Sequence, residues 1–466
     1  MTPEDVLARV ERALDRRRPW ESVWRDCYDH ALAATPGAAT LHDSTAADAA
    51  EGLAASLLAE LTPPWSRWFG LAPVEADADP ELAAALDRAA ETLGGHFDRS
   101  NLALELHQAF LDLVIAGTGI LLVEEAPPGE TTALRFTAVP LREAVLEEGP
   151  SGRLDTVFRL ARLTHARLAG RYPRAALPDA PEDPDATFRV IEATWPDRTG
   201  VRFLAVLDRD GTPVPLAEGR FNESPFVAFR WMKAPGETYG RGPVMKALPD
   251  IKTANKVVEL VLKNASIAAT GIWQADDDGV LNPATVRLEP GAIIPKAIGS
   301  SGLVPLKAPG SFDVSQLVLS DMRARIRSAL LADKLSLPRD PRMTATEVLE
   351  RSAETARLLG ATYGRLQTEL LTPLIARSLA ILRRRGEVPP IEADGHAARI
   401  AYQSPLARVQ GRADAANTLL FLQAVAALGP EAAGVVDLPA AARHLARTLA
   451  APAAILTPLD SRETPR

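Results

Sequence analysis

The sequence contains a single cysteine, Cys27, among its 466 residues. One cysteine cannot form a disulfide within the chain, which is typical of proteins that fold in a reducing cytoplasm. Long apolar runs are also lacking, since the run at 111–123 is interrupted by Gly117, Thr118 and Gly119. That run is too short to cross a membrane, and residues 1–18 lack the apolar core of a signal peptide. The sequence therefore predicts no transmembrane segment.

Lysine is missing from most of the chain. All eight lysines lie between Lys233 and Lys334, and the rest of the sequence uses arginine alone for positive charge. Lysine is a compact, strongly hydrated point charge, whereas arginine is a planar fork that binds carboxylates and phosphates bidentately. A confined lysine zone indicates a segment that meets a polyanion without fixed register. Drift in surface composition is the alternative interpretation.

An excess of positive charge is lacking as well. The net charge is −8, with 47% hydrophobic and 24% charged residues, as in a folded soluble protein of roughly two to four domains. Domains that bind duplex DNA are usually basic because they contact many phosphates, so an ordinary duplex-binding protein is not indicated. An acidic protein can still handle DNA when it must not adsorb to it.

Motifs for catalysis or for cofactor binding are not found. There is no phosphate-binding loop, no dinucleotide fingerprint and no histidine pair at metal-ligand spacing. The DDDG run at 276–279 fits a β-hairpin turn better than a cation site. The YGRGP run at 239–243 resembles a phosphate-cradling turn only loosely, and its glycines are expected to serve backbone conformation. These observations argue against an enzyme, and no cofactor is expected.

What is present is an α+β pattern that is mainly helical. Helical periodicity fills residues 3–34, a stretch from about 44 to 61, and 80–116, and alternating apolar residues over 120–232 predict antiparallel strands. The predicted elements that follow are an amphipathic helix over 249–269, a β-type insert over 271–309, a helix over 313–335, a proline-rich loop at 337–342, a long helix to about 385 that Pro373 should kink, helical hairpins over 404–450 and a disordered tail from 457.

Two predicted helices carry rows of positive charge. On helix 249–269 the lysines occupy a narrow arc, away from an apolar stripe that contains Ile251, Ala254, Val258, Leu262 and Ala265. The row on this first helix consists of Lys252, Lys256 and Lys263, and the row on the second helix consists of Arg323, Arg327 and Lys334.

Three segments in a fixed order carry a family resemblance. They are LHDSTAADAAEGLAASLLAELTPPWSRWF at 41–69, YGRGPVMKALPDIKTAN at 239–255 and PRMTATEVLERSAETARLLGATYGRLQTELLTPLIARSL at 341–379. With these segments the chain resembles a bacteriophage portal protein, specifically the podovirus-type head-to-tail connecting protein, over roughly residues 10 to 410. The chain is short for that family, so its crown and N-terminal extension are expected to be reduced. A gene transfer agent or a defective prophage would fit as well.

The resemblance implies a structural role rather than catalysis. Such proteins form a homo-oligomeric ring, usually of about twelve subunits, at one capsid vertex. The ring is the conduit for DNA packaging and ejection. The partners it implies are the capsid protein, the terminase large subunit, a tail or neck adaptor protein and double-stranded DNA that passes without sequence readout. The implied location is the virion, with assembly in the host cytoplasm.

The resemblance also divides the chain into parts. The expected division is N-terminal helices and a β-rich wing at 1–240, a first stem helix at 241–269, a clip at 270–312, a second stem helix at 313–335, a tunnel loop at 336–345, a long kinked wing helix at 346–389, a helical crown at 390–456 and a disordered tail at 457–466.

Candidate functional residues follow from this division. The candidates for the DNA channel are Lys252, Lys256, Lys263, Arg323, Arg327, Lys334, Arg339 and Arg342. The candidates for partner docking at the clip are Lys296 and Lys307. The alternatives are a solvated outer face or intersubunit ion pairs for the stem lysines, and a structural role for Arg339 and Arg342. The rival functions are another neck or adaptor ring component and, less favoured, a hydrolase with a helical cap, for which no triad is found.

Overall fold

The computed structural model of the chain describes most of the wing and stem predicted above. The described residues are 1–32, 40–64, 66–73, 80–209, 211–270, 273–274, 298, 304–305, 312–332, 360, 362–389, 398–402, 405–428 and 436–448. Within these ranges the fold is a mixture of helices and antiparallel strands, as the sequence predicts.

The N-terminal region begins with a single long helix, α1 (Pro3–Ala31). It starts at a capping box, in which the Asp5 N–H donates to Thr2 Oγ1 at 3.2 Å and the Thr2 N–H donates to Asp5 Oδ2 at 2.8 Å. A second helix, α2 (Thr45–Leu61), is rich in buried alanine, which lets neighbouring helices approach closely. The helical predictions for residues 3–34 and 44–61 are therefore confirmed within the described residues.

The single helix predicted over 80–116 is wrong, because the structure has two helices, α3 (Pro80–Arg99) and α4 (Leu102–Ala116). Asn101 lies between them, and its side chain binds the backbone of Phe136 twice, at 2.8 and 3.0 Å. A short polar side chain that competes for backbone groups favours a helix boundary. Helix α4 ends at Gly117, whose φ of 81° is left-handed.

The predicted β region forms two antiparallel sheets. The strands, with the small strand that precedes them, are β1 (Phe69–Pro73), β2 (Thr118–Glu125), β3 (Leu134–Ala138), β4 (Ala144–Glu148), β5 (Leu154–Thr164), β6 (Thr187–Asp197), β7 (Gly200–Arg209), β8 (Thr212–Phe221) and β9 (Phe226–Arg230). A three-stranded sheet has the order β3-β2-β9, and a five-stranded sheet runs β4-β5-β6-β7-β8. A short helix, α5 (His165–Arg171), which the sequence pattern did not predict, follows β5.

The five-stranded sheet is covered on both faces. Val6, Val10 and Ala13 of α1 pack against one face, with Ile191 and Val206 of the sheet. The opposite face carries Leu168 of α5, Tyr172, and the alternate strand residues Val190, Ala205 and Leu207. Because successive side chains of a strand point to opposite faces, α1 and α5 lie on opposite sides of this sheet.

Two helices follow the sheets, where the sequence pattern predicts helices over 249–269 and 313–335. They are α6 (Pro243–Thr270) and α7 (Phe312–Ala329), which pack against each other and against α2. Beyond their far ends, β10 (Trp273–Gln274) pairs antiparallel with β11 (Val304–Pro305). Most other clip residues, including the 276–279 turn, lie outside the described residues, as do the whole proline-rich loop at 337–342 and the start of the long helix.

The long helix contains a π-helical turn, Gln367–Leu371, directly before α8 (Thr372–Arg384). The Thr372 N–H bonds to the carbonyl of Gln367, five residues back. Pro373 has no N–H, and its ring clashes with the carbonyl four residues before it in a regular helix. A π turn ahead of the proline widens the helix at that point. The structure thus has a π turn next to Pro373, where the sequence predicts a kink.

The C-terminal part is not entirely helical, contrary to the prediction for 390–456. Strand β12 (Ala398–Tyr402) pairs with β1, with Leu71 opposite Ile400. A five-residue strand is too short for periodicity to separate it from helix, and its hydrogen-bond partner is distant in sequence. Helices α9 (Pro405–Ala427) and α10 (Leu438–Thr448) confirm the predicted helical hairpin, while the tail from 457 lies outside the described residues.

Candidate functional site

The start of α2 is the attachment point of α7. Asp43, whose side chain is 3% exposed, receives the Arg323 guanidinium, with Nε and Nη2 both 2.8 Å from Oδ2. Its other oxygen accepts the N–H of Thr45 at 3.0 Å. Burial would raise the pKa of Asp43, but the hydrogen bonds from Thr45 and Arg323 lower that pKa overall. The carboxylate is thus held ionised as a buried anchor for α7.

The same segment also anchors α6. The Oδ1 atom of Asn255 accepts the N–H groups of His42 at 2.6 Å and Asp43 at 3.1 Å. Residues 42 and 43 therefore bind both helices of the pair, α6 through Asn255 and α7 through Arg323. The sequence analysis assigned no contact to Asp43 or Asn255, although both lie in the segments that carry the family resemblance.

The lysine row on α6 is paired with carboxylates rather than free. Lys252 Nζ lies 2.5 Å from Asp26 Oδ2 of α1. Lys256 and Lys263 both reach Glu259 of their own helix, at 2.9 and 2.6 Å. Hydrogen bonds from Lys263 and then Lys256 lower the pKa of Glu259 to about 2. In this row, the exposed Lys256 and Lys263 therefore share one carboxylate, Glu259. Lys252 instead connects α6 to α1 through Asp26.

On α7 the two described candidates differ. Arg323 is paired with Asp43, which assigns it a structural role within the chain. Arg327 is exposed near the end of α7. The other candidates lie outside the described residues: Lys334, Arg339 and Arg342 for the channel, and Lys296 and Lys307 for the clip.

The half of the α6–α7 pair that lies away from the α2 anchor exposes apolar side chains to solvent. Along the predicted stripe of α6, Ile251 and Ala254 are 2% and 1% exposed, but Leu262 is 54% exposed. Leu260 beside it is 49% exposed, and on α7 Leu317 is 72% exposed. One half of each helix packs on the body of the protein, whereas the other presents leucines to solvent. Large apolar side chains left exposed on two neighbouring helices are typical of interaction surfaces.

The YGRGP run forms the junction that leads into α6. Gly240 and Gly242 approach Gly117 so closely that a Cβ atom on Gly240 would lie 2.0 Å from the Gly117 oxygen. A Cβ atom on Gly117 would lie 2.4 Å from the Gly240 oxygen. The Gly240 N–H also donates to Thr118 Oγ1 at 2.9 Å. The conformational role predicted for these glycines is confirmed, because backbone packs here directly on backbone.

A buried ion pair connects the long helix to the sheets. Arg230, at the end of β9, is fully buried, and its Nη2 atom lies 2.7 Å from Glu369 Oε1 in the π-helical turn. The guanidinium also donates to the carbonyls of Gly152 at 2.9 Å and Thr238 at 3.1 Å. Sequence reasoning missed this pair, since a single arginine at a strand end carries no pattern.

The described residues contain neither a candidate metal centre nor a candidate membrane span. No group of three or more His, Cys, Asp or Glu side chains in the described ranges could hold a metal ion. None of the helices that the structure describes combines the length and apolar character required to span a bilayer. What these residues do form is a set of anchors around a half-exposed helix pair.

Known proteins resemble the chain over most of its length. A probable portal protein of Bordetella phage BPP-1 is 25% identical over 480 residues, covering 91% of this chain and 83% of that protein. The portal protein of Escherichia phage T7 is 21% identical over 403 residues, covering 82% and 75%. A solved structure, the virion of a native gene transfer agent particle, matches 84% of this chain and 87% of that one. Its identity to this chain is 13% and its TM-score is 0.34.

A family model describes the same relationship more directly. The model for the bacteriophage head to tail connecting protein matches residues 4–456. The match includes the α2 anchor, the glycine junction, the helix pair and the π-helical turn. The chain therefore belongs to the bacteriophage head to tail connecting protein family.

Proposed function

We propose that this protein is a portal: a homo-oligomeric ring at one capsid vertex through which DNA is packaged and ejected. Membership of the connecting-protein family and the portal names of its relatives support this function. The structural observation that carries it is the helix pair α6 and α7, anchored at one end and bare at the other. Such leucines need a partner, and neighbouring copies in a ring supply one.

The parts of the portal follow from this assignment. The N-terminal helices and the two sheets make up the wing, α6 and α7 the stem, and the β10–β11 ribbon belongs to the clip, where terminase and then a tail adaptor dock. Residues 336–345 are assigned to the tunnel loop and residues after 390 to the crown. Lys296 and Lys307 are the proposed docking residues of the clip.

Charge on the stem suits a non-specific channel. Symmetry turns each stem residue into a ring, so Lys256, Lys263 and Arg327 become rings of exposed cations on an acidic protein. With Glu259 between the two lysines, each subunit contributes only a weak attraction for phosphate. Weak contacts without base readout allow any sequence to slide. Of the other channel candidates, Lys334, Arg339 and Arg342 remain proposed channel residues, whereas Lys252 and Arg323 are paired within the chain with Asp26 and Asp43.

The protein is proposed to act as a structural conduit, in a particle assembled in the host cytoplasm, while a separate terminase motor supplies the work. A neck adaptor ring is the main rival function. Negative-stain microscopy and light scattering of the purified full chain test the proposal. Rings with a central channel are expected, usually of about twelve subunits. A monomer at every salt and protein concentration would contradict it.

A further inference from the structure

A cavity of about 610 Å³ lies beside α1, on the side of the five-stranded sheet that α1 covers. Its wall includes Arg9, Arg12 and Arg16, which follow one another along a single face of the helix. We call it the arginine cavity. Trp20 and Tyr239 also line it.

The carboxylates in the wall of the arginine cavity are already paired. Glu147 is bound by both Arg9 and Arg16. Glu148 pairs with Lys233, and Glu237 pairs with Arg241 at 2.5 Å.

Arg12 is exposed, and none of the carboxylates in the described part of the chain forms an ion pair with it. Arg9 and Arg16 share one carboxylate, Glu147, and Arg12 has none among the described residues. The row on α1 therefore keeps an excess of positive charge that can bind a negatively charged group.

A segment of matching charge lies on the opposite face of the same sheet. The acidic loop, residues 178–186, follows α5 and contains Asp179, Glu182, Asp183 and Asp185, which are all exposed. The sequence has no basic residue between Arg174 and Arg189. In the described structure these four carboxylates form no ion pair. Leu177, directly before the loop, packs under α5 on the face away from α1.

The acidic loop is pre-organised for docking. Three prolines, Pro178, Pro181 and Pro184, restrict its backbone. His165 Nε2 lies 3.0 Å from the Pro178 carbonyl oxygen, and the Ala186 N–H bonds to the Asp183 carbonyl at 3.1 Å. A restricted loop loses little conformational entropy when it binds. Asp183 Oδ1 accepts the Asp185 N–H at 2.9 Å within the loop, and the Asp183 side chain remains exposed.

We infer that the arginine cavity of one copy receives the acidic loop of the neighbouring copy in the ring. This inference rests on the proposed function. A closed ring needs heterologous contacts, in which one side of a subunit meets the other side of the next. The cavity and the loop have opposite charge and lie on opposite sides of one sheet, as such a contact requires. The contact would fix the wing of each subunit to the next.

Disulfide crosslinking tests the contact in assembled rings of the full chain. Arg12→Cys combined with Asp183→Cys places one thiol on each side of the contact. Native Cys27 does not interfere, because it is buried and burial raises its pKa to about 12, leaving little thiolate at pH 8. Arg18→Cys with Asp183→Cys is the matched control, since Arg18 is 78% exposed on another face of α1.

The expected result is a ladder of covalent multimers on a non-reducing gel for the 12/183 pair and none for the 18/183 pair. Rings that form without this ladder, or equal ladders from both pairs, overturn the contact but leave the portal proposal intact. Absence of rings from the unmodified protein overturns the portal proposal and the contact with it.

Charge exchange gives a second, independent readout. Arg12→Glu and Asp183→Arg should each raise the protein concentration needed for half-assembly by on the order of tenfold, because each sets like charges against each other. The double variant, with both charges exchanged, should recover most of that loss. If the two single-variant increases in the half-assembly concentration simply add in the double variant, the two residues do not contact each other.

Discussion

The most deeply buried charge described in this protein is the Arg230 guanidinium, and its main counter-ion is Glu369. Burying an ion costs several kcal/mol unless a partner of opposite charge and further hydrogen bonds compensate it. Here two carbonyls and the bidentate carboxylate provide that compensation. Because Glu369 lies in the long helix and Arg230 in a sheet, the pair fixes how these two parts meet.

Glu369→Gln should destabilise the protein by about 3 kcal/mol, since it leaves Arg230 buried without its main counter-ion. Chemical denaturation measures the free energy of unfolding. Arg365→Met is the matched control, because Arg365 pairs with the same carboxylate at 3.0 Å but is 32% exposed. It should cost less than about 1 kcal/mol. Equal losses for the two variants would show that burial of Arg230 is not the cause.

A second residue-scale prediction concerns Asp112 of α4. Its oxygens accept hydrogen bonds from Tyr28 Oη at 2.9 Å and from the Leu141 N–H at 3.2 Å. Burial raises the pKa of Asp112 to about 6, and the hydrogen bonds only partly oppose this. The unfolded pKa is about 3.9. The folded state thus holds the proton more tightly than the unfolded state, and Asp112 lowers stability as the pH rises from about 4 to 6.

Asp112→Asn should remove this pH dependence. The free energy of unfolding of the variant, relative to the unmodified protein, should rise by about 2 kcal/mol between pH 4 and pH 7. Urea denaturation at several pH values measures that difference. Asp98→Asn, at an exposed position of α3, is the control for the loss of a carboxylate at the surface. A flat difference for Asp112→Asn would contradict the raised pKa.

At the scale of elements, the glycine junction determines where α6 begins. Gly117 ends α4, and Gly240 and Gly242 precede α6, so two chain segments cross at a point where no side chain fits. The Trp231 N–H donates to the Gly117 carbonyl at 3.0 Å, which extends the β2–β9 pairing to the junction. Helix α6 is therefore positioned by direct backbone contact with the end of α4.

Gly240→Ala should destabilise the protein by about 3 kcal/mol, because its Cβ atom would lie 2.0 Å from a backbone oxygen that cannot move away. Thermal and chemical unfolding measure the loss. Gly52→Ala is the opposite case, since a Cβ atom on Gly52 in α2 would meet nothing within 4 Å. That variant should be more stable by about 0.5–1 kcal/mol. Comparable destabilisation by both would indicate that the junction is less closely packed than the structure shows.

Elements with strong local patterns were predictable from the sequence, and elements defined by distant partners were not. Helix α6 follows from its apolar stripe and antiparallel strands over 120–232 from their alternation. Strand β12 depends on β1, more than 300 residues earlier in the chain. The break at Asn101 depends on the backbone of Phe136. Likewise, the lysine row was visible as a pattern, but its pairing with Glu259 and Asp26 required the structure.

At the scale of the whole molecule, the exposed leucines of the α6–α7 pair are the feature that a single chain leaves unexplained. Leu260 and Leu262 on α6 and Leu317 on α7 are each about half exposed or more. Burying one such side chain contributes about 1.5–3 kcal/mol, and a ring repeats the contribution at every interface. The anchors at Asp43 and Asn255 hold the two helices in place, so their exposed sides are presented without prior rearrangement.

Leu262→Asp should therefore prevent ring assembly while leaving the fold intact, because it places a charge in each apolar stem contact. Light scattering and microscopy report the ring fraction, and circular dichroism reports helix content. Leu104→Asp is the matched control, because Leu104 is 63% exposed and lies on α4 rather than on α6 or α7. Rings of Leu104→Asp alongside monomers of Leu262→Asp would place the subunit contact on the stem. If both variants assemble, or both fail, the exposed leucines of α6 and α7 do not explain the ring.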